Sequence, residues 1–182
     1  MAIGDRFPQV LSAASEGAEW AWAELYRDLA PVLLRFLIGQ GVAEPEDCLG
    51  ECFVQLVRNL PSFTGDERAF RAWAFRVARN RVVDTWRAAD RRPVSTTGDV
   101  PAVLDRRFQH EAADGDVLRR DWLAQVLAGL TPDQRTVVLL RVLDQFSVEE
   151  TAQIVGKSPG AVRVLQSRAI KSLRIALGPT NQ

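Results

Sequence analysis

The chain has 182 residues, 47% of them hydrophobic, which is enough for one domain or two small ones with packed cores. Its 23 basic and 23 acidic side chains balance overall. No apolar run approaches about 18 residues and no basic start precedes an apolar stretch, so neither a membrane span nor a signal peptide is expected. The sequence therefore predicts a cytoplasmic protein without membrane contact.

The charges are unevenly distributed along the chain. Residues 1–60 carry nine acids and four bases, 61–98 four acids and eight bases, 99–150 ten acids and six bases, and 151–182 no acid and five bases. Two separate basic blocks favour two contacts with one polyanion, while the acidic blocks can face protein partners. Chance clustering is the alternative.

The first half of the chain is predicted to be mainly helical. No sustained alternation ends at an Asn-Gly or Asp-Gly turn, so the fold class is predicted to be all-α. Residues 1–18 have no clear period and are predicted to fray or to form a short helix as an N-terminal extension. Glu19 to Gly39 is predicted as a helix that Pro31 kinks or splits. The next helix begins at Glu44-Pro45, with acids in its first turn, and closes at Pro61.

Cys48 and Cys52 lie four residues apart on one face of that helix. As half of a zinc site they would need partners, and His110, the only histidine, lies in a predicted linker. Buried apolar thiols are the favoured interpretation, and no metal or cofactor is predicted. A disulfide is not expected in a reducing compartment.

The stretch from 63 to 92 combines a helical period with positive charge. Ala69, Trp73, Val77 and Val83 recur at three- to four-residue spacing. The segment from Arg76 to Arg92 contains six arginines and only two acidic residues. Cations that follow phosphates beside aromatics that stack on bases (here Trp73, Phe75 and Trp86) are typical of a single-stranded nucleic-acid surface. The loop before this helix, with Phe63, Thr64, Gly65 and Asp66, could hold one extruded base. The alternative is a helix with core aromatics and solvated arginines, and Phe63 could equally cap the core.

The sequence of the second half predicts a linker followed by four helices. Residues 93–113 hold prolines, a glycine and small polar residues without a period, which indicates an interdomain linker. Helices are predicted from 114 to 130, from a Thr131–Gln134 capping box to near Asp144, from a Ser147–Glu150 capping box to Val155, and from 161 to about 177. Residues 178–182 are a tail.

The last two helices form a helix-turn-helix pattern. A short helix, a turn at Gly156 with Ser158 as a cap, and a longer basic helix would place the second helix in the major groove of duplex DNA. Arg163 and Gln166 would lie near base edges, and Arg168, Lys171 or Arg174 nearer phosphates. A plain helical hairpin with a solvated cationic face is the alternative.

Taken together, these motifs resemble those of sigma factors of the extracytoplasmic function (ECF) type, the minimal two-domain group of the sigma-70 superfamily. The resemblance rests on the acidic segment 46–53, on Ser62-Phe63-Thr-Gly-Asp66 with the segment 76–87, and on Leu130-Thr-Pro132, 147–152 and 160–169. It implies a region 2-like domain at residues 19–92 and a region 4-like domain at 114–177. The chain departs from the family pattern at Gly50, where Gln is usual, and at Val164 and Leu165, where Ser-Arg is common.

The resemblance also implies partners and residue roles. The partners are the RNA polymerase core, through its β and β′ subunits, promoter DNA and an anti-sigma factor. Core polymerase would be bound by Asp47, Glu51 and Gln55. The −10 element would be recognised and melted by Phe63, Thr64, Gly65, Asp66, Arg76, Arg79, Asn80, Asp84 and Arg87. The −35 element would be contacted by Ser158, Gly160, Arg163, Gln166, Ser167, Arg168 and Lys171.

Two other functions are alternatives. A stand-alone helix-turn-helix regulator would bind duplex DNA by itself, but it would need another use for the aromatic basic helix and the acidic face. An enzyme acting on nucleic acid would need a metal-binding acid cluster or a nucleophile with its base, and one linker histidine with scattered carboxylates supplies neither. The sequence therefore predicts a sigma factor without catalytic activity.

Overall fold

The computed structural model describes residues 3–90 and 125–177, and all regular structure in these two ranges is helical. The predicted all-α class is thereby confirmed. We call residues 3–90 the first module and residues 125–177 the second module. The predicted linker, the tail, residues 114–124, and Arg91 and Arg92 lie outside the described residues.

The first module contains four α-helices, α1 Phe7–Ser15, α2 Glu19–Gly39, α3 Pro45–Asn59 and α4 Glu67–Asp90, with 3₁₀ turns at Gly4–Arg6 and Leu60–Ser62. In the second module, residues 125–128 are helical and are followed by α5 Pro132–Val138, a π-helical stretch Leu139–Leu143, α6 Val148–Val155 and α7 Pro159–Leu177. Both predicted capping boxes, Thr131 with Gln134 and Ser147 with Glu150, are present.

The N-terminal segment is a packed part of the first module. Phe7, Val10 and Ala14 on α1 are buried, and the ring of Phe7 lies 5.5 Å from that of Phe70 on α4. Their spacing of three and four residues is that of an amphipathic helix. Of the two predicted alternatives, fraying or a short helix, the structure has the short helix, which acquires its order from the surface it covers.

Pro31 lies inside α2, which stays a single helix, so of the two predicted alternatives, a kink or a split, the split is wrong. A proline removes only one backbone hydrogen bond from a helix interior. Burial of Leu25, Leu29, Leu33 and Leu37 along one face holds the two halves on the same core. The tertiary contacts therefore outweigh the local cost.

The buried face of α4 differs from the predicted one. Of the predicted residues Val77 is buried, but Ala69 is exposed and Trp73 and Val83 are half-buried; the rest of the core face is formed by Phe70, Ala74, Phe75, Ala78 and Val82. Phe75 is fully buried, so it is unable to stack on a base from this position. Apolar residues occupy almost every position from 69 to 78, and two helical registers therefore fit the sequence equally well.

The two modules share one hydrophobic core. Helix α4 packs against α6, and Phe75 of the first module meets Phe146 of the second edge-on, with ring centroids 5.1 Å apart. A buried hydrogen bond of 2.9 Å runs from Gln40 Nε2 to Thr136 Oγ1. The described residues therefore form a closed arrangement in which the predicted −10 and −35 surfaces belong to one packed body.

Candidate nucleic-acid interface

The loop between α3 and α4 lies beside a cavity of about 490 Å³. Its first-module lining comes from the end of α3, from the loop and from one side of α4: Asn59, Ser62, Phe63, Thr64, Ala69, Ala72, Trp73 and Arg76. Phe63 stacks on Trp73 with centroids 5.1 Å apart and planes 19° apart, and it meets Phe70 edge-on. The cavity thus combines aromatic faces, hydroxyl and amide groups and one cation, as recognition of an unstacked base requires.

Two residues fix the shape of this loop. Gly65 has φ +153°, and a Cβ atom at this position would lie 2.9 Å from Ala69 Cβ and 3.1 Å from Phe63 Cζ. Asp66 Oδ1 accepts a hydrogen bond of 2.8 Å from the Ala69 amide, which caps the start of α4. Glu67 accepts hydrogen bonds from the Ile3 and Gly4 amides at 2.6 and 2.9 Å. The N-terminal segment therefore holds the far side of the loop.

Beyond the cavity, polar side chains continue along α4. Arg76, Asn80, Asp84 and Arg87 are exposed, and Arg79 is half-buried and 3.5 Å from Asn80 Oδ1. The structure brings these predicted −10 residues onto the solvent side of one helix that starts at the loop. A single-stranded backbone leaving the cavity would meet alternating cations and hydrogen-bonding groups.

The predicted polymerase-binding residues share one face of α3. Asp47 and Glu51 are exposed and Gln55 is half-buried, each four residues after the last. Arg81 on α4 approaches Glu51 at 3.6 Å. Val54 and Val57, each about half exposed, add apolar area beside this face, to which the sequence analysis did not assign them.

The two cysteines of α3 lie beside this face, on the side turned to the core. Both thiols are free and buried, as predicted. The pKa of Cys52 lies far above the ordinary thiol value because its thiol is hydrogen-bonded to Cys48 and is buried. Within residues 3–90 and 125–177, no group of three His, Cys, Asp or Glu side chains could hold a metal ion.

The helix-turn-helix geometry of the second module matches the predicted pattern. Gly156 ends α6 with φ +67°, and the Ala161 amide donates to Ser158 Oγ at 3.2 Å, so that Ser158 caps α7. Gly160, Arg163, Ser167, Arg168 and Lys171 are exposed along α7. A row of cations therefore faces away from the core that α7 forms through Val162 and Ala169.

Besides Ser158, two of the predicted −35 residues are engaged within the second module. Arg163 Nη2 lies 3.2 Å from Glu149 Oε1, with both side chains largely exposed. Gln166 is half-buried and accepts a hydrogen bond of 3.2 Å from Arg141 Nε. Gln166 is thus part of the packing between α7 and the π-helical stretch, and it is a less accessible base reader than Arg163.

Charged groups also line the junction between the modules. Arg68 of α4 forms an ion pair with both carboxylate oxygens of Glu150, and this interaction is the first cause of a Glu150 pKa lowered to about 2. Asp144 behaves oppositely, because burial raises its pKa to about 6 although Arg35 and Arg71 are nearby. Sequence reasoning placed none of these groups at an interface, since the pairing depends on how the modules dock.

Known families match both modules. The sequence matches the family model "Sigma-70 region 2" over residues 22–92 and "Sigma-70, region 4" over residues 120–173. It is 35% identical to the ECF RNA polymerase sigma factor ShbA of Streptomyces griseus, over 88% of this chain and 90% of that protein. The chain belongs to the ECF sigma factors of the sigma-70 family.

Other relatives agree with this placement. The chain is 31% identical to the ECF sigma factor BldN of Streptomyces coelicolor over 92% of its own length, but it spans only 64% of BldN. It is 30% identical to SigD of Mycobacterium tuberculosis, over 94% of this chain and 84% of SigD. An ECF sigma factor is an RNA polymerase subunit that directs the enzyme to promoters, and the family is not normally enzymatic.

Solved structures support the fold of this sigma factor. CnrH, in complex with the cytosolic domain of CnrY, gives a TM-score of 0.72 at 23% identity, covering 97% of this chain and all of CnrH. RpoE in complex with the anti-sigma factor NepR from Bartonella quintana gives 0.63 at 21% identity, covering 87% and 98%. Among the described helices, none has the length and apolar character needed to cross a bilayer.

Proposed function

We propose that this sigma factor recruits RNA polymerase core to a specific set of promoters and opens the DNA by capturing one non-template base in the 490 Å³ cavity. The observation that carries the proposal is the aromatic wall of that cavity, in which Phe63 stacks on Trp73 beside the Arg76 guanidinium. A flipped base would stack on the rings while its edge meets Thr64 or Ser62. The cavity contributes binding energy only after a base has been extruded. This energy therefore favours melting of the promoter DNA and does not contribute to recruitment of the polymerase.

The remaining exposed groups take complementary roles. Arg76, Arg79, Asn80, Asp84 and Arg87 along α4 would contact neighbouring bases and phosphates of the single strand. The cations of α7, led by Arg163 and Arg168, would contact the −35 duplex in its major groove. Arg163 must leave Glu149 to do so, at the modest cost of an exposed ion pair.

The acidic face of α3 is proposed as the docking site for core polymerase. Asp47 and Glu51 are exposed on one side of the helix, and the apolar atoms of Val54 and Val57 continue it. Reversing both charges (D47K with E51K) is expected to weaken core binding by tenfold or more, because a partner surface that complements these two acids would then meet like charges. D133N, which removes a partly exposed acid from the second module, is the control, and equal affinity of the charge-reversed protein would contradict the assigned face.

An anti-sigma factor is proposed as a further partner. CnrH and RpoE, which share this fold, were both solved with a protein bound: the cytosolic domain of CnrY and the anti-sigma factor NepR. The transfer to this chain rests on analogy of fold and family. A protein that binds across both modules would hold their closed arrangement.

Promoter-directed transcription tests the proposal. Purified bacterial core polymerase is assayed with and without this protein on templates from upstream of its own coding region, and a discrete start site that depends on the protein is expected. Phe63→Ala should slow open-complex formation more than it weakens recruitment, because the ring belongs to the base cavity. Binding to duplex DNA without core, together with no stimulated initiation, would instead indicate a stand-alone regulator.

A further inference from the structure

Val164 is an apolar residue on the exposed side of α7, the second helix of the helix-turn-helix. Its side chain is 49% exposed, whereas Val162 and Ala169 of the same helix are fully buried. In the sequence it departs from the family pattern, in which Ser is common at this position. The core of the second module therefore leaves about half of this side chain free to meet another surface.

Val164 lies near the centre of the solvent face of α7. Within roughly 60° of Val164 around the helix axis, at 3.6 residues per turn, lie Gly160, Ser167, Arg168 and Lys171, all of them exposed. The buried residues of the helix lie roughly 140–160° away, on the opposite side. If this face of α7 enters the major groove, Val164 is therefore among the side chains closest to the base pairs.

The surroundings of Val164 suit a contact with DNA. Gly160, one turn earlier, carries no side chain, and a Cβ placed there would meet nothing closer than Ser158 Oγ at 4.0 Å apart from the adjoining backbone. The approach to Val164 is therefore open. Arg163 and Arg168 lie on either side of it with guanidinium groups that can contact phosphates or neighbouring base edges.

The side chain of Val164 restricts which base it can face. The base edges in the major groove carry one methyl group, the C5-methyl of thymine, among hydrogen-bond donors and acceptors. The isopropyl group of valine neither donates nor accepts, so against a guanine or adenine edge it would leave polar atoms desolvated and unpaired. Against thymine it gains an apolar contact instead.

We propose that Val164 is a specificity-determining residue that reads the C5-methyl group of one thymine in the −35 element by direct apolar contact. The inference rests on the −35 role proposed for α7, and it specifies the chemistry of one base in that element. Arg168 and Lys171 position the helix on phosphates, and Val164 selects the base that lies beneath it.

Removing single methyl groups from the DNA tests this contact, because uracil differs from thymine by that methyl group alone. The full-length protein is bound to RNA polymerase core, and duplexes are selected from a promoter fragment whose upstream element is randomised over about 10 base pairs, one helical turn. Each thymine of the preferred sequence is then replaced by uracil in turn. Affinity is measured by fluorescence anisotropy at fixed salt, and the ratio of the thymine and uracil affinities cancels any change in core binding.

One thymine should be sensitive to this replacement. Loss of its methyl group should weaken wild-type binding about three- to fivefold, the scale expected for one buried methyl group. Val164→Ala withdraws two methyl groups from an exposed position and keeps a good helix former there, and it should bind the thymine and uracil duplexes almost equally. Val142→Ala is the matched control: Val142 is 64% exposed in the second module but lies outside α7, so this variant should keep the wild-type sensitivity.

Val164→Ser tests the same contact through a change of preference. A serine hydroxyl can hydrogen-bond to several base edges, so selection with V164S should give another base, or no preference, where the wild type selects the sensitive thymine. The other selected positions should stay unchanged, because the remaining residues of α7 are the same. Retention of that thymine by V164S would contradict the proposal.

The outcomes separate this inference from the function on which it rests. A preferred duplex in which no thymine responds to loss of its methyl group would overturn the reading by Val164 and leave −35 recognition standing. A response that survives in V164A, or that is lost equally in V142A, would overturn it in the same way. Absence of any preferred duplex would overturn −35 recognition itself, and the role of Val164 with it.

Discussion

Replacing Gly65 by Ala tests whether the loop of the base cavity depends on a conformation that only glycine adopts freely. At φ +153° an L-residue is strained, and strained backbone of this kind costs about 1–3 kcal/mol. The new Cβ atom would also press on Phe63 Cζ at 3.1 Å. Displacing Phe63 from Trp73 forfeits an aromatic pair worth about 0.5–1.5 kcal/mol.

An opposing contribution comes from the unfolded chain. Gly→Ala reduces the conformational entropy of the unfolded state, which returns about 0.4–1 kcal/mol. The net destabilisation therefore centres on about 2 kcal/mol, which corresponds to a fall in Tm of about 4–8 °C for a chain of this size. Because the loop shapes the cavity, open-complex formation with core polymerase should slow as well.

Thermal unfolding by calorimetry and the rate of open-complex formation measure the two effects. Gly50→Ala is the matched control, because Gly50 sits in a helix with open space around it and alanine there should stabilise by up to about 1 kcal/mol. A G65A protein that melts no lower than wild type and opens promoter DNA at the same rate would refute the reasoning. In that case the loop would have another conformation of similar energy.

Two further predictions concern charge. Burial raises the pKa of Asp144 from its ordinary value of 3.8 to about 6 in the packed protein, so its contribution favours the packed state below pH 4 and is lost as pH rises through 6. Asp144→Asn should therefore raise Tm at about pH 7.5 and leave it nearly unchanged at about pH 4. A Tm gain independent of pH would argue against the assignment. Glu149→Gln should free Arg163 and tighten duplex binding two- to fivefold relative to Asp133→Asn, as measured by fluorescence anisotropy at fixed salt; no difference between them would remove Arg163 from the DNA-contacting set.

Local rules predicted much of the fold. The capping boxes at Thr131 and Ser147 and the acid-rich start of α3 mark helix ends through short-range hydrogen bonds and charge, and the structure has helices beginning at these places. These signals depend on residues three or four positions apart. They are therefore readable without knowledge of the tertiary fold.

Features that depend on docking were not readable in this way. The two possible registers of α4 differ only in which apolar residues are buried. Phe36 and Phe146 select the observed register, because their rings pack against Phe75. The pairing of Arg68 with Glu150 joins residues 82 positions apart that look like ordinary solvated charges in the sequence. The base-holding loop and the basic faces of α4 and α7 were predicted from residue pattern, and their assignment to −10 and −35 elements came from motif resemblance; these roles stay predictions.

The stack of Phe63 on Trp73 also gives the protein an optical reporter. An indole lying half-buried at the cavity wall changes its emission when a base stacks beside it. The chain has five tryptophans, so the difference between wild type and Trp73→Phe spectra isolates this one signal. Base capture could then be followed in stopped flow on the unlabelled protein at a single residue.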